Sequence, residues 1–279
     1  MDSDLRSQRS GLRGFSIHRL IPNVLTLAAL CSGLTGIRFA LQGEMRLAVI
    51  AIIVAAIFDA LDGRVARRLG VTSRFGAELD SLSDFLCFGV APALVLYLAS
   101  LTHAGALGWV VTLMFPICSA LRLARFNTAL VSDTPPPVWT GSFFTGVPAP
   151  AGALLALMPL MLSFEIEAAW PRHAVLVGLG LVVVGGLMVS RLPTFSFKKG
   201  RVPRHLVLPL LLGAGLFMGV LASAPWIALS LLGLAYISLI PFSVLSYRRQ
   251  ATQDRQTAES AGVVPPLHSA DMGPAPPRD

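Results

Sequence analysis

The chain has 279 residues, 54% of them hydrophobic and only 13% charged, with a mean hydropathy of +0.70. Soluble domains carry about a quarter charged residues, so the composition argues against a water-soluble globule and for a chain that uses a bilayer as solvent. The net charge of +7 is spread in a way that follows membrane topology, and no nucleic-acid partner is expected.

The first twenty residues, MDSDLRSQRSGLRGFSIHRL, are polar and basic. They lack the short apolar core and small-residue cleavage site of a signal peptide. A helix needs ~20 mostly apolar residues to cross the hydrocarbon core. Candidate spans follow at 22–41, 47–62, 84–101, 105–123, 147–164, 173–190, 205–222 and 226–246. The expected fold is therefore all-α, a polytopic transmembrane bundle of about eight spans. Its parts are a basic segment over 1–20, a membrane domain over 21–247 and a tail over 248–279. The tail is rich in Pro, Ala and polar residues and is expected to be disordered. Cys31, Cys87 and Cys118 lie in apolar stretches without metal-ligand spacing and read as small buried hydrophobes.

Charge gives the orientation. With the N-terminus inside, every Lys and Arg except Arg38, Arg46 and Arg172 falls on the cytoplasmic side, as the positive-inside rule requires. Both termini are then cytoplasmic. The functional end of the bundle is expected at the same face, because the acidic cluster lies between the second and third spans.

That cluster is FDALDGRVARRLGVTSRFGAELDSLSDF, residues 58–85. Asp59 and Asp62 are three apart and Asp80 and Asp84 four apart, so each pair shares a helix face. The stretch 63–79 holds Gly63, Gly70, Gly76 and four arginines and suits a turn between antiparallel helices. Closing that turn would bring four carboxylates to one spot, where they need a cation or shifted protonation. Hard divalent ions prefer such oxygen ligands, and two could be bridged by these carboxylates. No His or Cys pairing favours zinc. Gly63 would let a ligand approach the backbone, and Arg64, Arg67 and Arg68 offer forked donors suited to phosphate oxygens. Gly70 reads as a turn glycine, and Ser73 as either a helix cap or a phosphate contact. Together these residues point to metal-assisted transfer on a phosphorylated substrate.

As a pattern the stretch is D-x2-D-G-x2-A-R-x8-G-x3-D-x3-D, filled by Asp59, Asp62, Gly63, Ala66, Arg67, Gly76, Asp80 and Asp84. It resembles the signature of the CDP-alcohol phosphotransferases at every fixed position. The resemblance implies transfer of a phosphatidyl or similar group from a CDP-linked donor to an alcohol, with release of CMP. It implies that Asp59, Asp62, Asp80 and Asp84 bind Mg2+ or Mn2+, as two ions, and that Asp84 is also the catalytic base. Asn23, Thr26, Gly63, Arg67 and Ser73 would contact the nucleotide and its diphosphate, although the plainer reading of Asn23 is a cap of the first helix.

The stretches IPNVLTLAALCSGLTGI, LDSLSDFLCFGVAPA, ALRLARFN, FTGVPAPA and MVSRLPTFSFKK are similar to the bacterial membrane-integral phosphatidylserine synthases. Ser83 and Leu86–Cys87 follow that subgroup only in character. The resemblance implies CDP-diacylglycerol as donor and serine as acceptor. The same chemistry on glycerol phosphate, inositol phosphate or choline is the alternative, and a cation transporter a remote one. A serine carboxylate needs a cation, and Arg122 or Arg125 could supply it, with Asn127 beside them; each arginine could instead be a snorkelling topology anchor. Lys198 and Lys199 could hold the lipid phosphate or simply attract anionic headgroups. Small residues in LVGLGLVVVGG have close-packing spacing, which suits helix packing and also a homodimer.

Overall fold

In the computed structural model the described residues are 20–71, 73–131, 143–166, 170–190, 192–195 and 204–260. The chain forms α1 (Ile21–Leu41), α2 (Met45–Leu69), α3 (Arg74–Asp84), a π-helical turn (Phe85–Val90) and α4 (Ala91–Leu96). A second π turn (Tyr97–Leu101) and a 3-10 turn (Thr102–Ala104) lead into α5 (Gly105–Val131). Then follow β1 (Phe143–Thr145), α6 (Ala149–Leu162), α7 (Ala174–Val189), β2 (Pro193–Phe195), α8 (Arg204–Ser223) and α9 (Pro225–Ser260). Helix thus occupies each of the eight expected stretches.

Among the described residues, Ile21–Leu41, the run Arg74–Thr128 and Pro225–Ser243 are long and apolar enough to cross a membrane. Ala149–Leu162, Ala174–Val189 and Val207–Ser223 are apolar but shorter. α2 has the length, but Arg46, Asp59 and Asp62 interrupt its apolar run. These helices fit a helical membrane protein.

The described fold is helical as expected, with one small addition: β1 and β2, three residues each, pair antiparallel with Phe143 opposite Phe195 and Thr145 opposite Pro193. Two other expectations need correction. The expected turn over 63–79 shrinks to the residues between α2 and α3. Arg64, Arg67 and Arg68 are good helix formers and carry α2 on to Leu69. Finally, α9 continues to Ser260, past residue 248 where the tail was expected to begin.

The centre of the bundle is built on α1. Its buried residues are Pro22, Thr26, Ala29, Gly33, Gly36 and Ala40, a stripe of mostly small side chains at alternating spacings of four and three. Small residues let helices approach closely. A Cβ on Gly33 would come within 2.6 Å of Cys87 Sγ, and one on Gly36 within 3.1 Å of the Ala48 carbonyl oxygen. α2 and the α3–α4 rod therefore pack directly on α1, and the acid pairs ride on those two rods.

Candidate active site

Local structure fixes where each acid points. α2 ends at Gly70, whose φ of 63° is the left-handed conformation that glycine adopts most readily, with its N–H donated to the Ala66 carbonyl. Ser73 caps α3 by accepting the Gly76 N–H at 3.0 Å. Beyond this link α3 packs on α1 and faces α2 across the acids. Asp59, Asp62 and Asp80 then each direct a carboxylate oxygen to one place, all within 4.8 Å of one another. Like charges this close repel by roughly 3–4 kcal/mol per pair at the effective dielectric of a protein boundary. Three converging carboxylates are hard oxygen donors, and this set fits a divalent cation of the magnesium class.

Asp62 is 5% exposed and accepts a 2.7 Å hydrogen bond from the Thr26 hydroxyl, itself 4% exposed. The same hydroxyl lies 3.1 Å from the Pro22 carbonyl. Thr26 therefore orients a carboxylate as well as lining the neighbouring cavity. Asp84 stands apart from the three-oxygen group. Its carboxyl lies near that of Asp59 and in the electrostatic field of Arg122. The π turn begins at the very next residue, Phe85. Such a turn re-aims the side chains around it, and π turns recur at functional sites.

Beside the acids is a cavity of about 190 Å3 lined by Asn23, Thr26, Asp62, Gly63, Arg67, Ser73, Gly76 and Asp80, with Pro22, Ala66, Val71 and Ala77. All five residues expected to contact a nucleotide diphosphate thus face one space. Gly76 closes it: a Cβ there would lie 3.0 Å from Asn23 Oδ1 and 3.1 Å from Ser73 Oγ. A Cβ on Gly63 would lie 3.3 Å from Arg67 Nη1, so this glycine makes room for the guanidinium to fold back over the helix.

The structure separates the two candidate acceptor arginines. Arg125 Nη1 donates to the Val189 carbonyl at 2.7 Å and Nη2 to the Ser190 carbonyl at 3.3 Å. It caps the C-terminus of α7, a structural use of the cation. Arg122 Nε is buried with no hydrogen-bond partner, although Asp84 is near enough to act on it electrostatically. Asn127 Nδ2 donates to Ser81 Oγ at 3.1 Å. It ties α5 to α3 between the two acids and does not stand beside Arg122 as a second free donor. Lys198 and Lys199 lie outside the described residues.

The CDP-alcohol phosphatidyltransferase family model matches residues 19–186. The chain belongs to that family. Residues 205–241 match a second model, CDP-alcohol phosphatidyltransferase 2. The chain is 40% identical over 230 residues to the CDP-diacylglycerol–serine O-phosphatidyltransferase of Mycobacterium leprae (strain TN), covering 82% of this chain and 76% of that protein. It is 36% identical over 180 residues to the protein of that name from Helicobacter pylori (strain 26695), 64% of this chain and 73% of the relative. An archaetidylserine synthase of Methanothermobacter thermautotrophicus is 34% identical over 159 residues, 56% of this chain and 64% of that one.

Within this family site, sequence reasoning missed the residues that hold the acids in place. Ser83 Oγ donates to the Thr26 carbonyl at 3.3 Å and Cys87 Sγ to the Ala29 carbonyl at 3.3 Å, locking α3 and the π turn to α1 on either side of Asp84. The available signal was the pair of serines in LDSLSD, polar residues on a helix that packs tightly against another. The stretches ALRLARFN, FTGVPAPA and MVSRLPTF also meet in space. Gly146, at a φ of 76°, donates its N–H to the Leu192 carbonyl at 2.9 Å. A Cβ there would come within 2.6 Å of the Met188 carbonyl oxygen. Part of what these motifs encode is therefore one structural junction joining β1, β2, α5 and α7.

Proposed function

We propose that this enzyme transfers the phosphatidyl group of CDP-diacylglycerol to L-serine, giving phosphatidylserine and CMP. The observation that carries the acceptor is Arg122, a buried cation with an unpaired Nε beside Asp84. Arg125 is already engaged with the carbonyls of α7. A single guanidinium suits one carboxylate, whereas a phosphomonoester acceptor calls for more positive charge. The relatives in Mycobacterium and Helicobacter carry the serine transferase name over most of their length.

The cavity lined by Asn23, Gly63, Arg67 and Ser73 takes the cytidine diphosphate, with Arg67 on the phosphate oxygens and Gly63 and Gly76 allowing close approach. Asp59, Asp62, Asp80 and Asp84 would hold two divalent ions, Mg2+ or Mn2+, whose charge would neutralise the diphosphate and stabilise the departing CMP. Thr26 keeps Asp62 aimed at that position. Arg122 draws the serine carboxylate in, so that the hydroxyl faces Asp84. Asp84 accepts the hydroxyl proton as the serine oxygen bonds to the lipid-side phosphorus. The bond from that phosphorus to the CMP oxygen breaks, and CMP leaves with the electron pair. Lys198 and Lys199 attract the lipid phosphate.

The eight helical rods span a bacterial inner membrane with both termini cytoplasmic and the acids at the cytoplasmic face, as the distribution of Lys and Arg favours. The donor's acyl chains stay in lipid while its nucleotide enters the cavity, and the enzyme works as a homodimer. The membrane domain comprises 21–247, between a basic N-terminal segment and a C-terminal tail. The test is CMP release from CDP-diacylglycerol by purified protein, with an acceptor screen run with and without Mg2+ or Mn2+. Serine should accelerate release far above glycerol phosphate, inositol phosphate and choline, and only with metal. Equal or greater acceleration by another alcohol would sink the serine assignment.

A further inference from the structure

α3 presents two acids and two serines in a fixed angular order. At ~100° per residue, Asp80 and Asp84 lie about 40° apart around the helix, and Ser81 and Ser83 fall roughly 80° to either side of their mean direction. The serines therefore flank the acid face, and each is tied to a different neighbour. Ser83 is buried and donates to the Thr26 carbonyl of α1 at 3.3 Å; the hydroxyl of that same threonine hydrogen-bonds Asp62. Ser81 turns to α5, where Asn127 Nδ2 donates to its Oγ at 3.1 Å. The Ser81 hydroxyl has the Ala77 carbonyl at 3.0 Å and Asn127 Oδ1 at 3.4 Å to accept its proton. α3 packs closely on α1 and little on α5, so on the Asn127 flank a hydrogen bond takes the place of packing. Rotation about the helix axis is the motion such a pair of ties resists. With side chains about 5–6 Å from the axis, a turn of about 10° moves a carboxylate by about 1 Å. A misplacement of that size costs a reacting site about 100-fold in rate.

We infer that Asn127 is a positioning residue: through Ser81 it fixes the rotation of α3, and with it the aim of Asp80 and Asp84 at the reacting centre. This rests on the metal-dependent transfer reading above and adds to it a residue of α5 that touches no substrate. It also gives the last residue of ALRLARFN a duty distinct from those of Arg122 and Arg125.

The test uses the purified full-length protein as wild type, Asn127→Ala, Ser81→Ala and the double variant, with Ser81→Thr as the conservative control. Two quantities are read: steady-state CMP release, and binding of Mn2+ alone, followed by the electron paramagnetic resonance of the free ion. Each alanine variant should lower kcat about 10- to 100-fold and weaken Mn2+ binding about tenfold, with the KM for the acceptor alcohol unchanged. The double variant should be no worse than either single one, because both remove the same contact. Ser81→Thr keeps the hydroxyl and should stay close to wild type in both measurements. A raised acceptor KM in Asn127→Ala alone would make Asn127 an acceptor contact and overturn the inference. So would additive losses in the double variant, or wild-type kcat and Mn2+ binding with only a lowered unfolding midpoint. Ser81→Ala against Ser81→Thr reads the same tie from α3, so the comparison stands even if Asn127→Ala does not fold. The acceptor is whichever alcohol the wild type uses; failure of the serine assignment thus shows before any variant is made and is distinct from failure of the tie.

Discussion

The two ends of the bundle treat polar groups in opposite ways. At the end away from the acids, Arg46 Nη2 donates to the Phe164 carbonyl at 2.8 Å and its guanidinium lies 5.6 Å from the Phe164 ring centre. Phe164 meets Trp226 edge to face at 4.9 Å, and Arg172 Nε donates to Ser163 Oγ at 3.0 Å. The basic side chains named here have protein partners, and their effect is to join α2, α6 and α9. At the acidic end, three carboxylates face each other and an arginine Nε is buried without a partner. Unsatisfied polar groups are costly inside a protein. An arrangement that keeps them is incomplete until a ligand arrives, whereas the arginines named at the other end are paired as folded.

The largest expected effect comes from the incomplete end. Asp84→Asn removes the proposed proton acceptor, and CMP release should fall by about 10^3-fold, within the usual range for a general base. The folded fraction should hold or rise, because one of several repelling charges has gone. Near-normal turnover would show that Asp84 is not the base. Chelation of divalent metal should abolish release in the wild type, with recovery on adding Mg2+ or Mn2+; activity that survives chelation would break the comparison at its root.

The arginine pair restates the contrast on one helix, three residues apart. Arg122→Gln should raise the KM for serine about 10- to 100-fold, the loss of a charge-assisted contact, with little change in unfolding midpoint. Arg125→Gln should do the reverse, lowering the midpoint as the end of α7 loses its cap while leaving the KM for serine close to wild type. Exchange of these two phenotypes would mean that the unpaired Nε does not mark the acceptor site. A smaller effect belongs to Thr26→Val, which removes the hydrogen bond to Asp62 at nearly constant volume. Supporting contacts of this kind change metal affinity by about 10- to 100-fold. A titration of activity against Mg2+ should shift to higher concentration with the plateau nearly retained.

Much of this contrast could be read from the chain before folding. Apolar runs gave the helix positions, and the spacing of the acids placed each pair on one helix face; Asp59, Asp62 and Asp80 do converge, whereas Asp84, expected at the same spot, is not part of that group. Gly70 read correctly as a turn because only a left-handed residue ends α2 there. Other features were hidden for physical reasons. Arg122 and Arg125 are the same residue type on one helix, and what distinguishes them is a carbonyl 64 residues further along the chain. Thr26 reads as an ordinary polar residue in an apolar span until α2 lies against α1. β1 and β2 are three residues each, too short for any alternation to register. The π turn after Asp84 leaves no mark in the residue pattern, since it changes hydrogen bonding rather than hydropathy.

The smallest expected effect is at the end with the paired arginines. Arg46→Gln breaks the hydrogen bond to the Phe164 carbonyl and the contact with its ring. Arg46 is exposed, so water can replace much of what is lost, and the cost should be about 1 kcal/mol. A thermal or denaturant midpoint in detergent should fall slightly, while CMP release per folded enzyme and the KM for serine stay at wild-type values. The reason is geometric: Arg46 lies in the first turn of α2 and Asp59 thirteen residues further along it, about 20 Å away at 1.5 Å per residue. Coupling between them would need α2 to have a second arrangement against α1. A large change in serine KM from Arg46→Gln would show that α2 shifts as a lever, and that the two ends work as a single device.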